Sequence, residues 1–405
     1  MKLKYKILIF AFFSMIITSL WGNNIYLLFG FSTLSWLFIP QKKYWDRISI
    51  SLLIFSLFYG FMAYINGKNN SYFILFSYII APATFYRFGR FLMNIFKKDT
   101  VRQLFLITST ILYLIYLFIL TIKDIALIGI VNESRILLNN NSMMNSSMHG
   151  IGATMYGMMS SIGIGCIGTI FTKKQKLWIK LVYILISILS MLCVIHLVNR
   201  TGIIVFIACI VILFFISTKM NITNILKTLL LLLLLWFIIV QSGIINQDIL
   251  DAYAQRENSE ISNSGELGGR RNLWLLAIYD MFIYPFGWTS PYYNYAHNLW
   301  LDIARVGGLI SLIPFIIATL QSLKNLFRLS YKKKLSNFAI IIISINIAML
   351  FSVFVEPVID GSLLYFCLLM MIWGITTSLV KEIYINKLNI LYTNNINYSN
   401  SIKPI

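Results

Sequence analysis

The feature that most constrains this chain is a series of apolar segments that recurs along almost its whole length. Each segment is close to the roughly 17 to 25 residues that a helix needs to cross a bilayer. Because 59% of the residues are hydrophobic and only 12% are charged, we predict one all-α, polytopic integral membrane domain over residues 1–405, with about twelve transmembrane helices. The predicted spans are 7–21, 25–39, 48–65, 72–92, 103–122, 150–171, 177–196, 202–217, 225–242, 298–321, 336–355 and 360–380.

The positive charges predict how these spans are oriented. If Lys2, Lys4 and Lys6 lie in the cytoplasm, 25 of the 33 lysines and arginines fall on the cytoplasmic side and the other 8 on the outer side. This asymmetry is typical of the positive-inside rule. We therefore expect both termini to be cytoplasmic, and we interpret the net charge of +19 as topology and not as nucleic-acid binding. The four cysteines all lie in apolar runs without metal-ligand spacing, so neither disulfides nor zinc are expected.

A long polar stretch separates two of the predicted spans, from Gly243 to Ala296. Its first half could not be buried in lipid, which predicts a large outer loop over residues 243–296. Within this loop, Leu273 to Phe282 is apolar but too short to span, which favours an interfacial or re-entrant helix. The end of the chain, residues 392–405, is rich in Asn, Ser and Ile and is predicted to be a disordered cytoplasmic tail.

Arginine is concentrated on the predicted outer side, where six of the eight cations are arginines, whereas most inner cations are lysines. A guanidinium is a planar fork of donors suited to phosphate, so this enrichment favours a phosphorylated ligand at the outer face. Arg200 stands at the top of a predicted span, while Arg270 and Arg271 precede a short helix whose amino terminus would also attract an anion. The alternative is that these arginines pair with outer carboxylates, contact lipid headgroups or snorkel towards water.

The apolar helix that follows the loop begins with His297 and Asn298. At 100° per residue, one face of this helix carries a strip of mostly small residues below the histidine, which predicts close packing of a neighbouring helix. Asp302 and Arg305 are one turn apart and are predicted to neutralise each other. A plain interfacial cap is the alternative role of His297. The strip consists of His297, Leu301, Ala304, Gly308 and Ser311.

Four stretches, taken in order, resemble the signature motifs of the O-antigen polymerase and O-antigen ligase family. They are Asn199-Arg200-Thr201-Gly202, then Gly269-Arg270 with Trp274, then Tyr284-Pro285-Phe286-Gly287-Trp288, then His297-Asn298-x-x-Leu301 with Gly308. The resemblance covers roughly residues 190–315 and extends to the number of spans and the large late loop. The chain departs from the family at Ser311, where a second glycine is usual, and this puts the packing of the helix in question but not the chemistry.

The resemblance implies a membrane-embedded glycosyltransferase that is metal-independent, needs no cofactor and works at the outer face of the bacterial inner membrane. Its donor and acceptor would be oligosaccharides linked to undecaprenyl pyrophosphate, and further partners would be a flippase and a chain-length regulator. Arg200 and Arg270, together with Arg271, would stabilise the departing pyrophosphate. His297 would accept the proton of the acceptor hydroxyl, since an imidazole is largely neutral at working pH.

Other residues near these motifs are candidates for binding substrate or taking the proton. Asn298 and Arg305 belong to the histidine motif and its helix. The carboxylates that compete with His297 as proton acceptor are Glu266, Asp302, Glu356 and Asp360. The tyrosines that could stack on sugar rings, or form an interfacial aromatic belt, are Tyr292, Tyr293 and Tyr295.

Three functions remain open at the level of sequence. A polymerase that joins repeat units is favoured over a ligase that moves finished glycan onto lipid A core sugar, because the polar loop is large and idiosyncratic. The motifs themselves do not separate the two. A transporter of lipid-linked sugars would place polar residues through its midplane and often carry an inverted repeat, whereas polarity here is concentrated at the outer rim.

Overall fold

The computed structural model describes residues 2–18, 25–40, 44–66, 72–132, 137, 152–217, 251, 254, 270–289, 295–332, 335–356 and 358–401, with the backbone alone for 360 and 386–401. The regular elements of these residues are helices. We number them α1 (Leu3–Thr18), α2 (Ile25–Phe38), α3 (Arg47–Ile65), α4 (Tyr72–Ile95), α5 (Asp99–Ile128), α6 (Ala153–Gly165, continued by a 3₁₀ helix over Cys166–Phe171), α7 (Leu177–His196), α8 (Arg200–Ser217), α9 (Arg270–Ile283), α10 (Leu299–Ser330), α11 (Asn337–Val355), α12 (Val358–Gly361) and α13 (Leu363–Ser401).

Eight helices in the described part of the chain are long and apolar enough to cross a membrane. They are α3, α5, α6 with its 3₁₀ extension, α7, α8, α10, α11 and α13 up to Ile385. The chain is therefore an α-helical multi-pass membrane protein, as the apolar periodicity predicts. The count of about twelve spans stays a prediction. Helices α1 and α2 are shorter than a full span, α4 carries Arg87 and Arg90 in its second half, and the predicted span 225–242 lies outside the described residues.

Helix α13 forms the centre of the bundle. All of its residues from Leu363 to Leu379 are buried, and it packs against α4, α10 and α11. The crossing with α4 is close because both helices offer glycine there. A Cβ on Gly89 would stand 2.1 Å from the carbonyl oxygen of Met371, and one on Gly374 would stand 2.0 Å from that of Tyr86. Small residues thus let the two backbones touch, as in other membrane bundles.

One end of the bundle is held by a network around Asp46, and we call it the Asp46 end. The Asp46 carboxylate caps α3 by accepting from the Ser49 amide at 3.0 Å, and it also accepts from Arg90 Nη1 at 2.7 Å and from the Tyr86 hydroxyl at 3.0 Å. Lys381 of α13 lies 3.7 Å from the same carboxylate. Three helices are therefore joined through one acidic side chain.

The other end of α3 defines the opposite side of the bundle. Helix α3 has 19 residues, so it carries the chain about 28 Å from Asp46 to Asn66. There the Asn66 side chain donates to the carbonyl oxygen of Val306, at 3.0 Å, in the first half of α10. This places the beginning of α10, and with it His297, at the end away from Asp46. We call this second side the His297 end.

Two predicted segments are only partly described. Of the loop 243–296, the structure describes 251, 254, 270–289 and 295–296, and α9 stands where the sequence predicts a short non-spanning helix. The backbone of α13 continues as helix to Ser401, into the stretch 392–405 that the composition predicts to be a disordered cytoplasmic tail; the disordered tail stays a prediction. Residues 402–405 lie outside the described residues.

Candidate functional site

The turn that carries His297 is fixed by two side chains from α10. The Asp302 carboxylate accepts from the amide of Ala296 at 2.7 Å and from the amide of Asn298 at 3.3 Å. The Asn298 side chain caps the helix by accepting from the amides of Trp300 and Leu301 at 3.1 and 3.2 Å. These contacts hold the backbone on both sides of His297, which itself has a positive φ of 53°.

A second layer of contacts ties this turn to α9 and α11. Trp274 of α9 donates its indole N–H to the carbonyl oxygen of Ala296 at 2.8 Å, and the side-chain Nδ2 of Asn298 donates to the carbonyl oxygen of Phe354 in α11 at 2.9 Å. The Trp274 and Phe354 rings meet edge to face at 5.6 Å. Trp274, four residues beyond Arg270, therefore positions the histidine turn. Asn298 is predicted to bind substrate, but its side-chain oxygen and nitrogen both form hydrogen bonds with the protein backbone.

Arg270 begins α9 and faces the end of α11. Its Nη2 lies 3.6 Å from Oε2 of Glu356, a residue that is 2% exposed. This separation is longer than the 2.7 to 2.9 Å of a charge-assisted hydrogen bond. The carboxylate thus holds the guanidinium nearby without fixing it, so Arg270 can turn towards an incoming anion. Two residues far apart in the sequence, both predicted for the site, are brought together here.

His297 lies within the electrostatic reach of this pair. Burial lowers the pKa of His297, and the positive charge of Arg270 lowers it further, to about 4. Its Nδ1 is buried and has no hydrogen-bond partner among the described residues. The imidazole is therefore neutral near pH 7 and offers a nitrogen that can accept a proton. An anion bound at Arg270 would offset one cause of the shift and raise this pKa.

Tyr295 and Arg305 pack against the histidine turn. The Tyr295 ring meets the His297 ring at 6.4 Å, and the Arg305 guanidinium lies 5.9 Å from the centre of the Tyr295 ring. Arg305 is 6% exposed and its Nε lies 3.8 Å from Asp302 Oδ1. The predicted pairing of Asp302 with Arg305 is confirmed, and Arg305 supports the turn from within the bundle.

The predicted continuous strip of small residues below His297 is wrong. Helix α10 is broken at Gly308, where φ is 66° and ψ is −177°, so His297 and Ser311 do not share one straight helical face. The space beside the glycine admits the loop before the histidine motif and not a neighbouring helix. A Cβ on Gly308 would stand 2.3 Å from the carbonyl oxygen of Pro285.

The break exposes backbone groups that a regular helix would satisfy, and the Pro285 loop pairs with them. Leu309 donates its amide to the Pro285 carbonyl at 2.7 Å, and the Trp288 amide donates to the Arg305 carbonyl at 2.8 Å. Ser311, where the resembled family has glycine, donates its hydroxyl to the Gly307 carbonyl at 2.7 Å. Non-helical backbone is tolerated in a membrane protein when protein groups satisfy it in this way.

Replacement of Gly308 by alanine is expected to destabilise the protein. The positive φ and the contact with the Pro285 loop together predict a loss of about 2 to 4 kcal/mol in the free energy of unfolding. Reversible unfolding in mixed detergent measures the change. Gly30→Ala is the matched control, since Gly30 lies inside α2 with no atom within 4 Å of an added Cβ. Equal stability of the two variants would show that the break is not rigid.

The arginine motif at Arg200 belongs to the connection between α7 and α8. The preceding Asn199 caps α8 by accepting from the Gly202 amide at 3.0 Å, and it donates to the Ala153 carbonyl at 2.8 Å. Gly157 is required opposite it, because a Cβ there would stand 1.9 Å from Asn199 Nδ2. Arg200 itself is partly exposed at the first position of α8, and α8 packs against α11. Asn199 therefore joins the start of α8 to the start of α6 and fixes the motif in the bundle.

A buried histidine lies beside this connection. His196 is 0% exposed; its Nδ1 donates to the carbonyl oxygen of Ile130 at 2.9 Å, and its Nε2 lies 3.4 Å from Asp124 Oδ2. Asn132 donates to the same carboxylate oxygen at 3.1 Å. Because the ring is enclosed by these partners, His196 holds α5 against α7, whereas His297 keeps a nitrogen available.

Of the remaining predicted site residues, one is described by the structure and three are not. Arg271 is exposed beside Arg270. Three others lie outside the described residues, namely Glu266, Tyr292 and Tyr293. Sequence reasoning did not single out Asn66, which no local pattern marks, although its contact with Val306 holds the broken helix. Within the described ranges, no three His, Cys, Asp or Glu residues are grouped closely enough to hold a metal ion.

Comparison with known proteins adds no assignment to this geometry. No family model matches the chain, and no curated protein is similar to it.

Proposed function

We propose that the chain polymerises oligosaccharide repeat units carried on undecaprenyl pyrophosphate, at the outer face of a bacterial inner membrane. The observation that carries the proposal is the meeting of Arg270, Glu356 and His297 at one end of an apolar helical bundle. A cation that can pair with pyrophosphate stands beside a neutral imidazole that can take a proton. Glycosyl transfer from a lipid pyrophosphate requires these two functions together.

The reaction can be written from these two groups. A hydroxyl of the acceptor sugar attacks the anomeric carbon of the donor, the bond from that carbon to the pyrophosphate oxygen breaks, and the hydroxyl proton passes to His297. Undecaprenyl pyrophosphate departs with the bonding electron pair, and Arg270 stabilises its added charge in a poorly hydrated setting. Glu356 keeps the guanidinium close to this position before the donor arrives.

The broken helix supports a site that must remain open to two long substrates. The loop over Pro285 and Trp288 fills the gap at Gly308 and leaves the His297 turn at the rim of α10. The exposed side chains of α9, such as Leu275, which is 59% exposed and lies little more than one turn beyond Arg270, provide an apolar surface near the arginine. A lipid carrier could thus stay in the bilayer while its headgroup meets the arginine.

A ligase that transfers finished glycan to lipid A core sugar is the second candidate, since it would use the same donor and the same two groups. The decisive experiment uses the purified protein in nanodiscs with a lipid-linked repeat unit as the sole sugar substrate. A ladder of products that differ by one repeat unit is expected. Transfer only when core sugar is added would establish the ligase instead, and passage of the lipid across the bilayer without any new glycosidic bond would establish a transporter.

The orientation of the site is tested by reporter fusions. Since the lysine-rich connections are expected to be cytoplasmic, a periplasm-active alkaline phosphatase joined after Thr289 should be active, and one joined after Lys332 should be inactive. A cytoplasm-active reporter at the same two positions should give the opposite pattern. If alkaline phosphatase is active only after Lys332, the site faces the cytoplasm and the proposed outward reaction is excluded.

A further inference from the structure

The Asp46 end contains a buried arginine that the proposed reaction does not use. Arg87 in α4 is 1% exposed, and its guanidinium lies beside two tryptophan rings, 4.7 Å from that of Trp36 and 5.0 Å from that of Trp45. The two indoles themselves meet edge to face at 6.0 Å. Both indoles therefore adjoin the guanidinium and offer their π systems to its positive charge.

The nitrogens on one edge of this guanidinium are available. Among the described residues, neither Nε nor Nη2 of Arg87 has a hydrogen-bond partner, although both are buried. These two atoms form the side of the fork that binds two oxygens of one oxoanion in parallel. A buried charge with unmet donors is costly, and contact with aromatic faces offsets only part of that cost. An oxoanion on this edge would offset the remainder.

The neighbouring arginine of α4 differs from Arg87 in having a carboxylate partner, although its Nε also has no hydrogen-bond partner among the described residues. Arg90, one helical turn away, donates from Nη1 to Asp46 at 2.7 Å and to the Tyr44 carbonyl at 2.6 Å. Asp46 also lies 3.7 Å from Lys381. The one described carboxylate in contact with this arginine pair is thus shared between Arg90 and Lys381, which leaves the charge of Arg87 for an external anion.

We infer that Arg87 binds the phosphate group of a membrane phospholipid, beside Trp36 and Trp45. The placement favours a lipid over free phosphate. Arg87 lies eight residues before the end of α4, about 12 Å along the helix, which matches the region near a bilayer headgroup. The surface of the bundle around the site is apolar, since Leu37 beside Trp36 is 70% exposed. Partly exposed tryptophans are also typical of the membrane interface.

Access to Arg87 requires the motion of at least one aromatic side chain. Trp36 and Trp45 are both partly exposed and separate the guanidinium from its surroundings. Rotation of either indole would open the Nε–Nη2 edge while the other ring keeps its contact with the charge. The site is independent of the proposed glycosyl transfer, because it lies at the end of the bundle away from His297.

The test measures lipid binding by the full chain in detergent, using native mass spectrometry with phosphatidylglycerol as the probe. Arg87→Lys keeps the charge but loses the fork, so the affinity for the first bound lipid is expected to fall about tenfold or more. Arg47→Lys is the matched control, because Arg47 is exposed at the same end, and it should bind as the unaltered chain does. Equal binding by the Arg87→Lys and Arg47→Lys variants would overturn the proposal.

Two further arms separate the remaining outcomes. Inorganic phosphate at the same concentration is expected to leave the lipid affinity of the unaltered chain unchanged, and competition by phosphate that disappears in Arg87→Lys would overturn the assignment to a lipid. If Arg87→Lys does not yield folded protein, Trp45→Phe and Trp45→Leu replace it. Lower affinity in the leucine variant alone supports the aromatic contact, and equal affinity in both overturns it.

Discussion

Arg270→Lys is expected to lower the rate of glycan transfer by about 10² to 10³, a larger loss than conservation of charge would suggest. An ammonium can approach pyrophosphate as a point charge, but it cannot donate two parallel hydrogen bonds as the guanidinium does. It would also hold Glu356 differently, because the present contact is an ion pair at 3.6 Å. The length distribution of polymer made by purified variants in nanodiscs measures the effect.

Two control variants make this result specific. Arg271→Lys should be milder, since Arg271 is exposed and its neighbour faces Glu356. Arg328→Lys changes an exposed arginine in the last turn of α10, far along the helix from His297, and should leave transfer unaltered. Polymer of normal length and yield from Arg270→Lys, at equal protein levels, would remove Arg270 from the reaction.

Much of the fold could be predicted from the chain because membrane helices are local objects. Each backbone hydrogen bond of a helix forms within the segment itself, so an apolar run of sufficient length predicts its own secondary structure. A helix therefore stands at each predicted span that lies within the described residues, although its ends differ from the predicted ones. The burial of α13 at the centre of the bundle could not be foreseen, because it depends on the close crossing of Gly89 and Gly374, in two distant segments.

The sequence names candidate site residues, which stay a prediction, but it could not show the contacts that the structure places among them. The resemblance singled out Arg270 and His297, yet their relation rests on Trp274, which holds Ala296, and on Glu356 at the end of α11. Glu356 was one of four possible proton acceptors in the sequence, with nothing to show that it faces Arg270. Pairings of this kind arise only when helices distant in the chain pack together.

The prediction that failed did so for a physical reason that the sequence leaves ambiguous. Small residues at Gly308 and Ser311 suit the contact of two helices, but a glycine also permits a positive φ that ends a helix. The structure uses the second property, and the Pro285 loop occupies the space. The sequence offers one indication of this arrangement. The loop around Pro285 has backbone N–H and C=O groups that need hydrogen-bond partners, and a break in α10 supplies them.

The second large effect is expected at His297. His297→Ala should reduce transfer by about 10² to 10⁴ while the lipid-linked donor still binds, because Arg270 and Glu356 remain. In cells, the expected phenotype is accumulation of single repeat units on the lipid carrier without a ladder. His297→Gln keeps a polar side chain of similar reach and cannot serve as a base, so it should be nearly as inactive as the alanine variant.

The pH dependence of the unaltered protein provides an independent test of the same role. In the free protein, burial and Arg270 lower the pKa of His297 to about 4, so the base stays neutral, and kcat/KM is maintained, until the pH falls towards that value. A bound pyrophosphate offsets the charge of Arg270 and raises the pKa. The acid limb of kcat, which reports the substrate complex, should therefore lie at higher pH than that of kcat/KM.

Two variants test which side chains cause the difference in pH between the acid limbs of kcat and kcat/KM. Arg270→Gln removes the charge that lowers the pKa in the free protein, so the acid limb of its residual kcat/KM should move to higher pH. Glu356→Gln distinguishes the alternative base. A proton acceptor cannot be replaced by an amide without loss of the proton-transfer step. If Glu356→Gln abolishes transfer while His297→Gln keeps near-normal turnover and an unchanged acid limb, the Glu356 carboxylate takes the proton. His297 would then only position the acceptor.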